Sequence, residues 1–392
     1  MVQSVRRSQG FLSLVFLRRK EHTRAANLCP GEGETRLRAE LRPSLRRISQ
    51  LPLALLVLFA GSAFAQSSIL PGSKPPDAPR EWKNWIGDYG GTGDAFLCSV
   101  FERGGELLLT CAGKGEAKLE ANGKEGYSVA SPIIPRTANP PLRRDLHGVV
   151  TLQIGDARWP RRDYLAQGDQ VFRIHPAHPI EELRKTALLA TPPEETGDFR
   201  KPDLVELGPP DIRLDIRYAT SNDFLGTPVY SQARAFLERP AAEALRRVQR
   251  KLKPLGYGLL IHDAYRPWYV TKIFWDATPP EGKIFVADPA QGSRHNRGCA
   301  VDLTLYDLAS GKPVEMPGTY DEMSPRSYPD YPGGTSVERW HRDLLRRAME
   351  SEGFTVYEAE WWHFDYKDWK AYPILNVPFE NLGLHPDAGA AR

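Results

Sequence analysis

Two short segments of the sequence carry residue types that bind metal ions. In residues 293–302, His295 and Asp302 lie seven residues apart on the approach to an apolar strand. Residues 360–363 read EWWH and supply a second imidazole, that of His363. An isolated His and Asp would more simply be a loop histidine and an edge-strand charge, but the second segment completes a set of three. Zinc in a hydrolytic site takes about three ligands from His, Asp and Glu and keeps one position open. We therefore predict that His295, Asp302 and His363 hold one zinc ion per chain.

Glu360 is a further carboxylate in the second segment, three residues before His363. Such a group can take the proton from a water molecule and pass it to a leaving amine, so we predict that Glu360 is the general base. The spacing raises a difficulty, because residues three apart on a regular strand point to opposite faces. Either the strand is irregular near Trp361 and Trp362, or the base is displaced and Glu358 is the competing carboxylate.

Both motifs, in this order, resemble the zinc D-alanyl-D-alanine dipeptidases of the vancomycin-resistance type, within the larger group of peptidoglycan D,D-peptidases. Three further segments, residues 215–226, 262–267 and 315–321, resemble that family's other signature segments and follow the family's order. Together the motifs cover about residues 204–375. The resemblance implies a zinc metallopeptidase that hydrolyses D-Ala-D-Ala in cell-wall peptide metabolism.

The resemblance also implies which side chains contact a dipeptide with a free amino group and a free carboxylate. Tyr218, Asp263, Ser293 and Asp321 match motif positions that line or support the family's substrate pocket. The two carboxylates suit an ammonium terminus, and hydroxyl groups can donate to a carboxylate. A D,D-carboxypeptidase of longer wall peptides and a non-catalytic wall-peptide binding protein are the alternatives. An intact general base, Glu360, favours an enzyme.

Two other residues of the motifs have more than one interpretation. Arg266 carries a permanent positive charge that suits a developing oxyanion, so we predict that it stabilises the transition state. The alternative is a structural arginine at the start of the helix after Pro267. Cys299 is expected to be a small buried side chain. As a fourth zinc ligand it would have to turn to the face of the strand opposite to its own, where Asp302 points.

The first 65 residues differ in composition from the rest of the chain. They carry 11 Lys and Arg against 4 Asp and Glu, so the formal charge of +3 becomes −4 without them (41 basic and 45 acidic residues). A mildly acidic protein lacks the clustered positive charge that nucleic-acid binding needs. Arg46 and Arg47, the apolar run 51–60 and the small residues before Gln66 have the three parts of a secretory signal peptide. This pattern predicts cleavage after Ala65.

Cleavage at that point would release a periplasmic or secreted protein. The apolar run is roughly half the length that spans a bilayer, so a permanent membrane anchor is the less favoured alternative. We expect no stable membrane anchor after cleavage, no nucleic-acid partner, and a small dipeptide as the substrate.

Composition divides the exported part of the chain into four segments. Residues 66–81 are rich in proline and are predicted to be a linker. Residues 82–185 alternate short apolar and polar stretches between glycines, which is typical of a small antiparallel β domain, and we expect this domain to contact the cell wall. Residues 186–203 form a second predicted linker, and residues 204–392 contain the motifs. The predicted strands of the β domain lie near residues 95–101, 106–112, 117–119, 149–154 and 171–174.

Two cysteines of the β domain are placed opposite each other by a predicted hairpin. If Gly104 and Gly105 are the central residues of the turn, counting outward pairs Cys98 with Cys111. The count ends on a non-hydrogen-bonded pair, where the Cα atoms approach closely enough for a disulfide. An oxidising compartment favours the bridge, and two buried free thiols are the alternative.

The motif-bearing region mixes helical and strand periodicity. One helix is predicted from apolar residues at helical spacing, namely Ala241, Leu245, Val248 and Leu252. Residues 257–261 read as a buried strand, and Thr335 with Glu338 forms a capping-box signature for a helix that Gly353 ends. The strands are not regularly spaced between helices. The region is therefore predicted to be an α+β domain with a short antiparallel sheet that carries the zinc site, preceded by the small all-β domain.

Overall fold

A computed structural model describes residues 69–90, 98–111, 115–123, 126–129, 141–145, 148–164 and 171–383. The predicted signal peptide and its cleavage site after Ala65 lie outside these residues. Across the described part of the chain, no helix is long and apolar enough to cross a membrane.

The N-terminal domain is all-β and antiparallel, as the alternating pattern predicts, and its eight strands form a small barrel that was not predicted. The strands follow one another around a single antiparallel sheet: β1 (Gly87–Tyr89), β2 (Cys98–Arg103), β3 (Glu106–Cys111), β4 (Glu116–Asn122), β5 (Gly126–Val129), β6 (Leu142–Arg144), β7 (Val150–Ile154) and β8 (Ala157–Pro160). A bridge between Tyr89 and Arg161 joins the end of β8 to β1 and closes the sheet. Its core consists of inward-facing apolar residues such as Val100, Leu109 and Leu152.

The prediction of a strand over residues 171–174 is wrong. Phe172 and Ile174 instead pack against the core of the second domain, and the Ile174 amide donates to the carbonyl of Phe224. A short apolar run can be buried in this way without pairing in a sheet, so its periodicity alone did not distinguish the two outcomes.

The predicted hairpin and its disulfide are confirmed. Strands β2 and β3 pair in the register that places Arg103 opposite Glu106 and Cys98 opposite Cys111, and the two sulfur atoms are bonded. Gly104 and Gly105 have φ values of 62° and 79°, the left-handed conformation that a two-residue turn of this type requires at both positions.

The C-terminal domain is α+β, as predicted, but its sheet is not antiparallel throughout. Its five-stranded sheet has the order β10-β12-β13-β15-β14, and a separate antiparallel pair joins β9 to β11. The large sheet is antiparallel except at its edge, where β10 runs parallel to β12. The long connection between these two strands allows parallel pairing. The strands are β9 (Leu204–Leu207), β10 (Arg213–Leu214), β11 (Ala235–Glu238), β12 (Tyr257–Asp263), β13 (Ala300–Asp307), β14 (Phe354–Tyr357) and β15 (Glu360–Tyr366).

The described residues of this domain form four α-helices: α1 (Ile180–Leu189), α2 (Arg239–Leu252), α3 (Trp268–Ala277) and α4 (Ser336–Glu350). Helix α2 buries the four apolar residues whose spacing predicts it. Helix α4 begins with the predicted capping box, in which Thr335 accepts from the Glu338 amide and Glu338 accepts from the Thr335 amide. Helix α1 has no counterpart in the sequence prediction, and it buries Ile180 and Leu183 in the core of the C-terminal domain.

Buried carboxylates of the barrel hold it against the C-terminal domain. Glu102 accepts the backbone N–H of Ser336, the first residue of α4, and so occupies the positive end of that helix. Asp88 is fully buried and accepts from the hydroxyl of Tyr331 at 3.0 Å. The segment between the barrel and β9 is held as well, because the Glu195 carboxylate accepts the Ile374 amide and pairs with Arg297.

Candidate active site

Adjacent strands and one preceding turn bring the three predicted metal ligands together. Asp302 lies on β13 directly opposite His363 on β15. His295 lies in the short 3-10 turn that leads into β13, and the turn ends at Gly298 with φ 62°. A Cβ atom at Gly298 would lie 2.4 Å from the Leu204 side chain, so glycine allows the close packing that fixes this turn. The three side chains are buried, and their ligand atoms all lie within 4.8 Å of one another.

The hydrogen bonds of the two imidazoles determine which atoms face the centre. His295 Nδ1 lies 2.6 Å from the carbonyl of Ala264, and His363 Nε2 lies 2.9 Å from the Asp365 carboxylate. Both partners are acceptors, so these nitrogens carry the protons. The opposite nitrogens, His295 Nε2 and His363 Nδ1, lie 3.1 Å apart, and in the neutral imidazoles both carry lone pairs.

Asp302 completes this cluster of acceptor atoms. Its Oδ1 lies 3.3 Å from His295 Nε2 and 3.0 Å from His363 Nδ1. Oδ1 is buried and has no hydrogen-bond donor among the described residues. Burial alone would raise the pKa of Asp302, but positive charge on the neighbouring imidazoles, in their protonated form, outweighs burial and holds that pKa well below its usual range. Three converging acceptors with one ionised carboxylate fit a divalent metal ion bound by two nitrogens and an oxygen.

Glu360 lies beside the metal ligands because β15 is irregular. Tyr357 of β14 pairs with Glu360, whereas the preceding Val356 pairs with Phe364, so three residues of β15 bulge out of the register. The irregular geometry that the Glu360 and His363 spacing requires is thereby confirmed, and Glu360 Oε2 lies 3.7 Å from His363 Nδ1. Glu358 is exposed in the turn before β15 and is placed away from the ligands.

The surroundings of Glu360 favour its protonated form. Burial raises the pKa of Glu360 to about 8, with Asp302 adding to the rise while His363 and Arg266 oppose it. A carboxylate with a pKa near neutrality can both accept and return a proton, which is the property of a general acid and base.

Arg266 is held rigidly at the wall of the cavity that contains the ligands. It follows β12, and its guanidinium donates through Nε and one Nη to the same Asp263 oxygen, at 3.0 and 2.8 Å. The guanidinium also lies over the ring of Phe274, 4.7 Å from its centre, and 3.8 Å from Asp302 Oδ2. Asp263 does not line the cavity, and it also accepts a hydrogen bond from the Tyr230 hydroxyl. Its position therefore suits a role in orienting the Arg266 guanidinium.

Tyr218 and Asp321 line the same cavity and contact each other. The Tyr218 hydroxyl donates to Asp321 Oδ1 at 3.0 Å, and the Tyr320 hydroxyl lies 3.0 Å from Tyr218 and 3.1 Å from Asp302 Oδ2. Asp321 has φ 60°, a costly conformation for a non-glycine residue, and its Oδ2 is buried without a hydrogen-bond donor among the described residues. Burial, with the charge of Asp302, raises the pKa of Asp321 well above its usual range. Asp321 is therefore a buried acidic group whose protonated form is favoured, and it forms no ion pair with the described residues.

The cavity itself has a volume of about 510 Å³. Ser293 is part of its wall, and the Ser293 Oγ accepts the backbone N–H of His295 at 3.2 Å. Cys299 is buried in the core and burial raises the pKa of its thiol, so it has the environment of a packing residue. Within the described residues, the group of metal-binding side chains consists of His295, Asp302 and His363.

Two residues of the site were missed by the sequence analysis. Asp365 fixes the orientation of His363, and the alternation of a strand could have revealed it, because residues two apart point to the same face. Tyr320 links Asp302 to Tyr218, and it lies in a segment whose sequence shows no strand or helix periodicity. Tyr320 lies in residues 315–321, a segment that the resemblance singled out, but the role of its hydroxyl was not predicted.

The sequence is similar to those of known proteins. The sequence profile described as D-ala-D-ala dipeptidase matches residues 201–381. The D-alanyl-D-alanine dipeptidase of Escherichia coli (strain K12) is 35% identical over 170 residues, which are 43% of this chain and 86% of that protein. The D-alanyl-D-alanine dipeptidase of Enterococcus faecalis is 37% identical over 41% of this chain and 89% of that protein. The D-alanyl-D-alanine dipeptidase of Streptomyces coelicolor is 36% identical over 44% of this chain and 93% of that protein. The ligand cluster, the adjacent carboxylate and these matches lead to one conclusion: the chain belongs to the D-alanyl-D-alanine dipeptidase family of metallopeptidases.

Proposed function

We propose that the protein hydrolyses D-alanyl-D-alanine with one zinc ion held by His295, Asp302 and His363. The observation that carries the proposal is the convergence of three buried acceptor atoms beside Glu360 and Arg266. The D-alanyl-D-alanine dipeptidase relatives support the choice of substrate. A nitrogen and oxygen ligand set suits zinc, which when bound supplies Lewis-acid polarisation of the scissile carbonyl and lowers the pKa of water to about 7.

The protein's own residues divide the remaining work. Glu360 takes a proton from the attacking water molecule and returns it to the leaving nitrogen, as its raised pKa allows. Arg266 stabilises the negative charge that develops on the carbonyl oxygen, and Asp263 with Phe274 keeps its guanidinium in place before the substrate binds. The hydrogen bond from His363 to Asp365 holds the imidazole in the tautomer that presents Nδ1 to the site.

Asp321 is the residue that selects a substrate with a free amino group. Its buried, unpaired Oδ2 would be satisfied by an ammonium group, and the Tyr218 hydroxyl fixes the other oxygen. Ser293, with its Oγ in the cavity wall, is placed to donate to a carboxylate. A D,D-carboxypeptidase substrate carries an amide where the dipeptide has its ammonium group, and an amide would leave the Asp321 carboxylate without a cation.

One observation favours the carboxypeptidase as a second candidate. The cavity of about 510 Å³ lies in the range that holds drug-sized ligands and offers more room than alanylalanine fills.

We also propose that the mature protein acts in the periplasm or outside the cell, which the disulfide between Cys98 and Cys111 supports. We further propose that the barrel contacts the cell wall.

The test uses purified protein with three substrates, each with and without a chelator: D-Ala-D-Ala, its N-acetylated form, and a pentapeptide that ends in D-Ala-D-Ala. We expect hydrolysis of the free dipeptide alone, loss of activity with the chelator, and recovery on addition of zinc. Faster cleavage of the pentapeptide would make the protein a carboxypeptidase. Binding of wall peptides without cleavage would make it a binding protein.

A further inference from the structure

The connection between β13 and α4, residues 308–335, carries Asp321 into the active site. Over these residues, all of which the structure describes, the chain forms one short 3-10 turn at Pro325–Ser327 and no strand. Asp321 itself has φ 60°, a conformation that a non-glycine residue keeps only where the surrounding structure imposes it. The contacts that support this connection therefore determine where the Asp321 carboxylate lies.

Glu322 closes a tight loop around Asp321. Its fully buried carboxylate accepts the backbone N–H of Thr319 at 3.0 Å, which ties the chain before Asp321 to the chain after it. The Arg326 guanidinium donates through Nε and one Nη to the two oxygens of the same carboxylate, each at 2.6 Å. A Cβ atom at Gly318 would lie 2.8 Å from the Arg326 carbonyl oxygen, so the two ends of the loop are in direct contact. A displacement of Arg326 would therefore move Asp321.

The barrel holds Arg326 from the outside. The central carbon of its guanidinium lies 5.1 Å from the centre of the ring of Tyr164, which follows β8. The Tyr164 hydroxyl donates to one oxygen of Asp88 at 2.6 Å, and the Tyr331 hydroxyl donates to the other oxygen at 3.0 Å. Hydrogen bonds to an ionised, buried carboxylate are stronger than those between neutral groups. Asp88 thus joins the ring that stacks on Arg326 to a residue further along the same connection.

A third contact of the barrel lies near the end of the connection. The backbone N–H of Glu102 on β2 donates to the carbonyl of Gly334 at 3.0 Å. The barrel therefore contacts the connection at three places between Asp321 and α4, namely at Arg326, Tyr331 and Gly334. Contacts at three places restrict the path of a chain segment that has no regular structure of its own.

We propose that the barrel positions the substrate-recognition residue of the active site, with Tyr164 and Asp88 holding the connection so that Asp321 meets the substrate's ammonium group. The inference rests on the proposed function, which assigns the ammonium group to Asp321. The imidazoles of the metal site are oriented by Ala264 and Asp365 of the C-terminal domain. Loss of the barrel contacts should therefore weaken substrate binding and leave the metal in place.

The test compares two tyrosine-to-alanine variants of the zinc-loaded protein. Tyr164→Ala removes both the ring beside Arg326 and the hydroxyl group that donates to Asp88. Tyr127→Ala is the matched control, because the Tyr127 ring packs on Trp85 inside the barrel, with 5.2 Å between the ring centres. We expect the KM for D-Ala-D-Ala to rise about tenfold in Tyr164→Ala with little change in kcat, the pattern of lost uniform binding. Tyr127→Ala should keep the wild-type KM, and both variants should keep a full zinc equivalent.

Hydrogen exchange separates this inference from the proposed function, because it needs no substrate. The amides of residues 318–331, including the Thr319 N–H that Glu322 accepts, should exchange about tenfold faster in Tyr164→Ala than in Tyr127→Ala. The amides of β13 and β15 should exchange equally in both variants. If the wild type cleaves none of the three substrates, the proposed function fails, and the exchange rates alone decide whether the barrel holds the connection.

Unchanged exchange over residues 318–331, or an unchanged KM in active Tyr164→Ala, would overturn the proposal. Equal effects in Tyr127→Ala would overturn it as well, because the barrel would then contribute only general stability. If Tyr164→Ala does not fold, Tyr331→Phe decides by the same two measurements, since it removes only the hydroxyl group that donates to Asp88.

Discussion

Asp302 and His363 face each other across strands β13 and β15, with 3.0 Å between Asp302 Oδ1 and His363 Nδ1. In the neutral imidazole of His363, which donates through Nε2 to Asp365, neither of these two atoms carries a proton. Two acceptors at this distance repel each other unless a cation lies between them and the nearby His295. This relationship connects the sheet register to metal binding, because a one-residue slip of β15 would turn His363 to the other face.

His363→Ala is expected to strip most of the metal, because it removes one of the three ligand atoms. His178→Ala is the matched control, since His178 is exposed and lies outside the site. Elemental analysis of both purified variants measures the metal directly. A His363→Ala protein with a full zinc equivalent would refute the ligand assignment.

Asp365→Asn is expected to keep the fold and to weaken metal affinity by a factor of about 10 to 100, the usual effect of losing a carboxylate that orients a ligand histidine. The Asp365 carboxylate accepts from His363 Nε2 and pairs with Arg294. Competition with a chromophoric chelator measures the affinity. Unchanged affinity would mean that Asp365 does not fix the imidazole.

Glu238 is expected to make stability depend on pH. It is fully buried, its Oε1 has no donor among the described residues, and burial raises its pKa from 4.5 to about 7. A raised pKa means that the folded state favours the protonated form, so this stabilisation is complete below about pH 4.5 and is lost as pH rises through about 7.

Glu238→Gln removes this titration. From pH 4.5 to pH 8 its free energy of unfolding should rise relative to the wild type by about 3 kcal/mol, the scale of a shift of this size. Denaturant titrations at the two pH values measure the difference. Glu243→Gln, on the exposed side of α2, is the control and should show no such change. A constant difference between Glu238→Gln and the wild type would contradict the expectation.

Arg266→Ala is expected to keep its metal and to lower kcat by a factor of about 10² to 10³, the usual effect of losing one oxyanion donor. Arg266→Lys should recover little, because a flexible ammonium cannot reproduce the fork of donors that Asp263 orients. Steady-state kinetics with D-Ala-D-Ala measures both variants. A wild-type kcat with only a raised KM would assign Arg266 to uniform substrate binding instead.

The ligands could be predicted from the sequence because His295, Asp302 and His363 lie in compact motifs of chemically specific residue types. The Cys98 and Cys111 pairing was predictable because a two-residue turn fixes the hairpin register. The bulge in β15 could be inferred only as one of two ways to bring a carboxylate beside His363. Nothing local in the sequence distinguishes it from a regular strand with Glu358 as the base. The packing of the barrel against the C-terminal domain was not predictable, because it depends on long-range contacts such as those of Glu102 with Ser336 and Asp88 with Tyr331.

The most direct test of the central claim measures zinc content and kcat for D-Ala-D-Ala in the same preparations of Glu360→Ala and Glu358→Ala. If Glu360 is the general base of a zinc site formed by the other residues, Glu360→Ala should retain a full zinc equivalent while its kcat falls by a factor of about 10² to 10⁴. Glu358→Ala should match the wild type in both quantities, because Glu358 is exposed in the turn. Wild-type kcat in Glu360→Ala, or a loss of activity confined to Glu358→Ala, would contradict the account.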